Sequence, residues 1–308
     1  MSANWVAASI RARSLSQRRV GAGHCRQLAT MTNLPQALAL LSDSGYAPRL
    51  VGVTSLTAAQ RATRETLLWQ LRVLAGWLPP GGTGLVRAIA ALYERDNIVA
   101  LAGRLKGGTE LSEAYQLGAL ATAWPRVQKQ TSLPALTEAL RRSAWGDPGP
   151  IDDVALRDLL TLAWLRRLSA AAPAVSGWAC SASALVAARM VLVDQTVPTS
   201  RTLVLVRPWL GREWANSRDL GRFRVSLPRP ARSILDGIDD PVDLWRAEAR
   251  LRVEVEAEGF RLMHASRSGP DVVLGAIAVL AVDGWRLRAA LAAADAGTGS
   301  SEVLDAVA

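Results

Sequence analysis

The sequence Thr32-Asn33-Leu34-Pro35 recurs as Thr131-Ser132-Leu133-Pro134, and each copy begins a short segment with apolar residues at helical spacing. A serine and an aromatic residue then follow at the same positions in both copies: Ser44 and Tyr46 in the first, Ser143 and Trp145 in the second. The interval between the copies is too long for one unit of a solenoid and favours a duplicated helical subdomain. Asn33 is a good helix cap and Pro35 is tolerated in the first turn, so a helix is predicted to start there, and the second copy predicts a helix near 133–145.

The composition of the 308 residues favours helices throughout. Half of the residues are apolar, and the aromatic residues are mostly Trp, with 11 Trp against 2 Phe and 3 Tyr. Alanine and leucine dominate the apolar set, and both are strong helix formers, whereas runs of β-branched residues are rare. We therefore predict an all-α fold.

Glycine and proline clusters separate the predicted helices. These helices cover about 4–20, 33–44, 57–78, 84–106, 110–128, 133–145, 153–171, 179–195, 241–263 and 270–294. The pattern predicts a first helical unit over 1–109, a second over 110–198 and a third over 241–308, of which 296–308 is a frayed tail. The segment 199–240 is expected to be an irregular loop or insertion, with the apolar run Leu203–Val206 as a brief strand.

Charge is unevenly distributed along the chain. The 36 basic and 27 acidic residues give a formal net charge of +9, and no acidic residue precedes Asp43. Arginines crowd this acid-free start: Arg11, Arg13, Arg18, Arg19 and Arg26. Such asymmetry suits nucleic acid, anionic lipid or an acidic protein face as a partner, although a solvated helix face explains it equally well.

The cysteines and the apolar stretches favour a soluble or peripheral protein in a reducing compartment. Two cysteines offer no disulfide framework, and the arginines from Arg11 onward argue against a signal peptide. Leu168–Ala188 contains proline, glycine and serines, and Val272–Val282 is shorter than the roughly 20 residues that a membrane span needs. Both stretches are predicted to be buried helices.

Glycine-rich turns do not form a phosphate-binding motif. Gly21-Ala22-Gly23 is followed by Arg26 where a dinucleotide fingerprint has its last glycine, and no strand precedes it. The turns at 81–84 and 107–109 lack the Lys-Ser/Thr ending of a phosphate loop.

Side chains suited to metal binding or catalysis are few and scattered. His24 and Cys25 are adjacent, but His264 and Cys180 lie far away in sequence, which is untypical of a zinc site. Two acidic pairs, Asp152-Asp153 and Asp239-Asp240, are interpreted as helix starts, and paired catalytic carboxylates stay an open alternative. We predict no catalytic residue, metal or cofactor and no small-molecule substrate.

Two apolar helices are interrupted by charged and amide residues. Glu94-Arg95-Asp96-Asn97 lies within the helix at 84–106, and Asp283–Arg288 lies within the last helix. Residues three apart share a helix stripe. Each stripe is either a solvated face or a polar network, or else a lining that faces a partner or an internal channel.

Together these segments resemble a family of central-stalk subunits in V/A-type rotary ATPases, known as the C subunit in archaea and bacteria and as the d subunit in eukaryotes. Trp5 and Ile10–Leu15 resemble the start of that family, and Asn33–Tyr46 resembles its short helix that ends in Thr-x-Tyr. Glu94–Gly107 is similar to the Glu-x-x-Asn-Leu helix that closes its repeats, and Asp283–Arg288 is similar to a decayed last copy.

The resemblance implies three pseudo-repeated helical bundles that form a funnel-like subunit without catalytic activity. Such a subunit docks the central shaft of the rotary ATPase onto the membrane rotor ring, for proton or sodium transport. It lies in the cytoplasm, peripheral to the cytoplasmic face of the plasma membrane, and its partners are the ring and shaft rather than nucleic acid. The residues that the resemblance and the charge pattern place at the partner interface are Arg11, Arg13, Arg18, Arg19, Glu94, Asn97, Arg104, Lys106, Arg286 and Arg288.

A basic helical protein that binds nucleic acid or acts as a scaffold is the alternative, because of the net charge and the acid-free start. Nucleic-acid binding predicts an affinity that falls steeply with salt. An enzyme with an unrecognised site is a third interpretation.

Overall fold

The computed structural model describes residues 4–108, 113–149, 151, 153–264, 267–297, 299 and 304. All regular secondary structure in these residues is helical, which confirms the predicted all-α class. The helices are α1 Asn4–Ser16, α2 Ala22–Ala29, α3 Leu34–Ala39, α4 Ala47–Leu50, α5 Leu56–Ala75, α6 Thr83–Leu105, α7 Trp124–Val127, α8 Leu133–Arg141, α9 Asp153–Ala171, α10 Ser176–Ala188, α11 Ser200–Leu210, α12 Leu220–Ser226, α13 Arg229–Arg232, α14 Leu244–Met263 and α15 Pro270–Ala296.

The chain divides into two compact units. Unit 1 combines residues 1–83 with 249–308, and unit 2 contains residues 84–248. Unit 1 therefore joins the two ends of the chain, which the sequence pattern does not indicate. The predicted division into 1–109, 110–198 and 241–308 stays a prediction.

In unit 1, the long helix α15 is the centre of the packing. It contacts α1, α2, α3 and α5, and most of its side chains are buried. Its apolar residues join a core that includes Leu28, Leu41 and Tyr46. Leu304 is buried in the same core. The buried residues lie on every side of α15, as is typical of a helix in the middle of a core.

Two glycines allow α14 and α15 to cross closely in unit 1. A Cβ atom added to Gly275 would collide with the backbone oxygen of Gly259 and would lie 2.7 Å from the backbone nitrogen of Met263. A Cβ atom on Gly259 would lie 3.0 Å from the oxygen of Gly275. The two backbones approach each other at a distance that only glycine permits.

In unit 2, α10 packs against α9, α11 and α13. Trp214 and Phe223 are fully buried and meet edge to face, with ring centroids 6.2 Å apart. The turn Arg189–Val193 continues α10 with wider π-helical hydrogen bonding.

The segment 199–240 is not irregular, so the prediction of a loop with a brief strand is wrong. It contains α11, α12 and α13, and the run Leu203–Val206 lies inside α11. Side-chain caps start two of these helices, α11 and α12: Thr199 accepts from the Thr202 N–H at 3.1 Å, and Asp219 accepts from the Arg222 N–H at 2.8 Å. A capped start and tertiary burial override the β preference of a short valine-containing run.

The helix predicted at 110–128 is also wrong over its described part. Residues 113–117 are not helical, and only a short 3₁₀ turn at Gly118–Leu120 and α7 follow. Asn97 holds both backbone groups of Tyr115, which therefore cannot join a helix. Predictions at Thr109, Asp152 and most of 296–308 fall outside the described residues.

One helical stretch of the described residues, Pro173–Val193, is long and apolar enough to cross a membrane on those two criteria alone. Of the apolar 18-residue segment within this stretch, 56 % is buried inside the protein, and buried core helices often meet the same criteria. A single stretch of this kind is weak support for a span.

Candidate functional site

The carboxylate of Glu94 is the centre of a buried polar cluster in unit 2. Glu94 is only 1 % exposed, on a helix that is otherwise mostly apolar. Its Oε1 accepts hydrogen bonds from the backbone N–H groups of Thr122, Ala123 and Trp124 at 2.7, 2.8 and 2.8 Å. Because these groups surround the start of α7, Glu94 caps that helix from a distant part of the chain.

The second oxygen of Glu94 is bound by two side chains. The Thr122 hydroxyl donates to Oε2 at 2.5 Å, and the Trp145 indole N–H donates at 2.9 Å. Arg167 completes the cluster: its guanidinium lies 4.8 Å from the Trp145 ring centroid and donates to the Thr122 hydroxyl at 3.2 Å. Burial lowers the pKa of Arg167, and the charge of Glu94 partly opposes that shift.

Asn97 lies one turn after Glu94 and is 2 % exposed. Its Nδ2 donates to the Tyr115 carbonyl oxygen at 2.9 Å, and its Oδ1 accepts from the Tyr115 N–H at 2.7 Å. The Tyr93 and Tyr115 rings meet edge to face, with centroids 5.2 Å apart. Glu94 and Asn97 therefore hold the segment 115–124 against α6.

The carboxylate of Asp283 has the corresponding place in unit 1. It is 1 % exposed and lies in the middle of α15. Its Oδ1 accepts from the Gly21 N–H at 2.7 Å, and its Oδ2 accepts from the Val20 N–H at 3.0 Å and from the Tyr46 hydroxyl at 2.9 Å. Burial raises the pKa of Asp283, and the hydrogen bonds from Gly21 and Val20 oppose that rise.

The repeated sequence motifs supply the same contacts in both units. Asn33 and Ser132 cap their helices by accepting from Gln36 and Ala135 N–H groups at 3.0 and 3.4 Å. The Ser44 and Ser143 hydroxyls each donate to the carbonyl of a preceding leucine in the same turn, both at 2.7 Å. Tyr46 and Trp145 each then donate from the ring to the buried carboxylate of a long helix. Two stretches of sequence with the same pattern thus form the same hydrogen-bond network.

Cys25 lies beside the Asp283 cluster and is fully buried. Burial, with a smaller contribution from the charge of Asp283, raises the pKa of the Cys25 thiol to about 12. The thiol is therefore protonated at neutral pH and is a poor nucleophile. Among the residues that the structure describes, no three His, Cys, Asp or Glu side chains gather to hold a metal ion.

The ten predicted interface residues separate into two groups. Glu94, Asn97 and Arg286 are buried, and each binds groups of its own chain. The bonds of Glu94 and Asn97 are described above, and Arg286 pairs with Glu256 at 2.5 and 2.6 Å. A side chain enclosed by its own unit cannot touch a partner, so these three residues are corrected to internal positions. The other seven are partly or fully exposed and stay a prediction: Arg11, Arg13, Arg18, Arg19, Arg104, Lys106 and Arg288.

Two of the exposed arginines border an open cleft of about 920 Å³ in unit 1. The end of α1, the turn at 43–49 and one face of α5 enclose it. Its lining residues are Gln17, Arg18, Arg19, Asp43, Ser44, Gly45, Pro48, Arg49, Thr66 and Trp69. The sequence reasoning missed Arg49 and Trp69, because nothing in their local sequence distinguishes them from other surface residues of helices.

Models of known protein families do not match the chain, and neither do curated protein sequences.

Proposed function

We propose that the protein is a non-catalytic coupling subunit of a V/A-type rotary ATPase, which docks the central shaft onto the membrane rotor ring. The observation that carries the proposal is the repeated network in which Tyr46 binds Asp283 and Trp145 binds Glu94. Tyr46, Glu94 and Asp283 belong to segments on which the family resemblance depends, and the network accounts for these residues as parts of duplicated helical bundles.

The order of helices supports three such bundles. The helices α5, α9 and α14 contain 20, 19 and 20 residues, and the next long helix along the chain has many buried residues in each case: α6, α10 or α15. In this proposal a bundle consists of a buried long helix and the short helices that it anchors. The short helices are those of 22–50 for α15, 118–141 for α6 and 200–232 for α10.

The third bundle keeps the capped start but lacks the carboxylate. Asp219 precedes Leu220 as Asn33 precedes Leu34, and the Ser226 hydroxyl donates to the Phe223 carbonyl at 2.7 Å. The anchoring helix α10 carries no acidic residue, and Ser183 is fully buried in it. The proposal therefore places a divergent copy in the segment that the sequence pattern left unassigned.

Bundles held together by buried carboxylates suit a rigid adaptor that transmits force. Each carboxylate ties short helices to a long helix that is distant in sequence, which resists the separation of the two under load. Three similar bundles suit a socket around an axial shaft, where quasi-equivalent contacts suffice. The net charge of +9 would then face acidic loops of the ring or shaft, or anionic headgroups at the cytoplasmic membrane surface.

Co-expression with rotor-ring and shaft subunits from the same genome tests the proposal. We expect the three proteins to co-purify in detergent, in a complex that size-exclusion chromatography separates from the free subunit. A stable protein that binds neither subunit would refute the coupling role. Binding to nucleic acid with a steep salt dependence would favour the alternative of a basic nucleic-acid-binding protein.

A further inference from the structure

The arginine-lined cleft of unit 1 has an excess of positive charge. Arg18 and Arg19 approach it from the end of α1, and Arg49 approaches from α4. The acidic group in the lining is Asp43, and the nearby Glu65 is shared, at 3.6 Å from Arg49 and 2.8 Å from Arg61. Among the described residues, neither Arg18 nor Arg19 has a carboxylate within ion-pair distance. Arg19 also donates to the Ser16 carbonyl at 3.1 Å, and its guanidinium lies 5.2 Å from the Phe260 ring centroid. Arg18 is therefore the better placed of the two to bind an anionic group.

The cleft also offers an apolar surface beside these charges. The Trp69 side chain is 39 % exposed at its wall, and Pro48 lines the same space. A volume of about 920 Å³ is far larger than one phosphate or carboxylate group requires. A flexible chain with several carboxylates and some apolar carbon would use both the arginines and the indole.

The cleft is connected through the backbone to the buried Asp283 network. Arg19 directly precedes Val20 and Gly21, whose N–H groups bind Asp283, and Gly45 directly precedes Tyr46, whose hydroxyl binds it. A Cβ atom on Gly45 would lie 2.9 Å from the Arg18 carbonyl oxygen, so the two walls touch at this glycine. The walls are therefore fixed to α15, and the cleft is already formed when a ligand arrives.

We infer that this cleft receives an acidic segment of a protein partner, in which carboxylates pair with Arg18 and Arg19 and apolar carbon lies against Trp69. The inference deepens the proposed function, and it rests on that function for the partner being a protein. A preformed cleft of this kind avoids part of the ordering cost of binding.

Fluorescence anisotropy with two labelled peptides tests the inference. One peptide alternates glutamate and alanine, and the other has glutamine in place of every glutamate. We expect the wild-type protein to bind the glutamate peptide, and to bind the glutamine peptide at least about tenfold more weakly. Arg18→Glu, and separately Arg18→Gln with Trp69→Ala, should reduce the affinity for the glutamate peptide by about tenfold or more.

Matched controls use exposed arginines of unit 2, outside the cleft. Arg126→Glu and Arg207→Glu change the net charge as Arg18→Glu does, but at physiological salt we expect each to change the affinity by less than about twofold. Far-UV circular dichroism checks that every variant is folded. Equal binding of both peptides, unchanged affinity in Arg18→Glu, or tighter binding of polyphosphate at the same residues would overturn the inference.

Co-purification with rotor subunits separates this inference from the coupling role. If rotor subunits bind the wild-type protein but the glutamate peptide does not, the cleft inference is wrong and the coupling role stands. If the peptide binds through Arg18 and rotor subunits do not co-purify, the coupling role is wrong and the cleft assignment stands.

Discussion

Replacing Glu94 with Gln changes one oxygen of the buried cluster into an NH₂ group and leaves the side-chain shape nearly unchanged. The remaining oxygen can still accept from the backbone N–H groups of Thr122, Ala123 and Trp124. The new NH₂ group then faces the Trp145 indole N–H, which lies 2.9 Å from the oxygen it replaces. Since an indole can only donate, this contact becomes a pair of opposed donors.

The expected loss of stability follows from these contacts. One buried donor left without an acceptor costs about 1–3 kcal/mol. The three bonds that remain lose the strengthening from an ionised acceptor, which makes charge-assisted bonds roughly twice as strong as neutral ones. We expect Glu94→Gln to lower the free energy of unfolding by about 2–4 kcal/mol, and Glu94→Ala by about 4–5 kcal/mol, because all the donors then lose their acceptor.

Urea unfolding followed by far-UV circular dichroism measures this change. Amide hydrogen exchange adds local information, because protection of the Thr122, Ala123 and Trp124 amides should fall in both variants. Glu138→Gln is the matched control: it makes the same chemical change in a side chain that is 39 % exposed and pairs with Arg141 at the surface. We expect it to cost less than about 1 kcal/mol.

A double-mutant cycle isolates the indole contact. Trp145→Phe removes the opposed donor, so Glu94→Gln should cost about 1–2 kcal/mol less in the Trp145→Phe background than in the wild type. Glu94→Gln with wild-type stability, or fully additive changes in the cycle, would refute the assignment of Glu94 as the anchor of unit 2.

Three further perturbations test the packing and the polar clusters. Gly275→Ala forces a methyl group against the Gly259 carbonyl, so thermal unfolding should show a loss of stability of about 1–3 kcal/mol or more. Gly177→Ala is the control: nothing lies within 4 Å of the added carbon, so this change should be neutral or stabilising. Burial raises the folded pKa of Asp283 above its unfolded value, so its contribution to stability is fully present below the unfolded pKa and is lost as pH rises through the folded pKa. The urea midpoint of the wild type should therefore fall relative to that of Asp283→Asn as pH rises through the folded pKa of Asp283. The opposite trend would contradict a raised pKa for this buried carboxyl group. Asn97→Leu leaves a backbone N–H and C=O without their partners and should cost about 1–3 kcal/mol with helicity retained in circular dichroism; unchanged stability would show that water replaces the amide.

The sequence predicted the long helices well because their signals are local. The ranges 84–106, 153–171 and 270–294 are close to the observed α6, α9 and α15, and their starts and ends are marked by proline, glycine or capping residues. The cap predicted at Asn33 was also correct. Predictions were wrong at 110–128 and 199–240, where distant contacts and a few capping bonds decide the backbone.

The candidate site was only partly accessible from the sequence. The interruption of apolar helices at Glu94 and Asp283 pointed to the right residues, but the pattern left open whether they faced a partner, solvent or their own unit. Their donors lie at Thr122–Trp124 and Trp145, and at Val20, Gly21 and Tyr46. Helical periodicity says nothing about which distant backbone groups meet a side chain.

The sequence by itself determined that the chain is helical, where most long helices run, and that two short segments share one pattern of cap, serine and aromatic ring. Only the tertiary structure decided that the ends of the chain join in one unit and that each aromatic ring binds a buried carboxylate. It also placed Arg18, Arg49 and Trp69 around one cleft. The physical reason is range: capping and helix propensity act within a few residues, whereas the burial of a charge and the walls of a cleft depend on residues that only folding brings together.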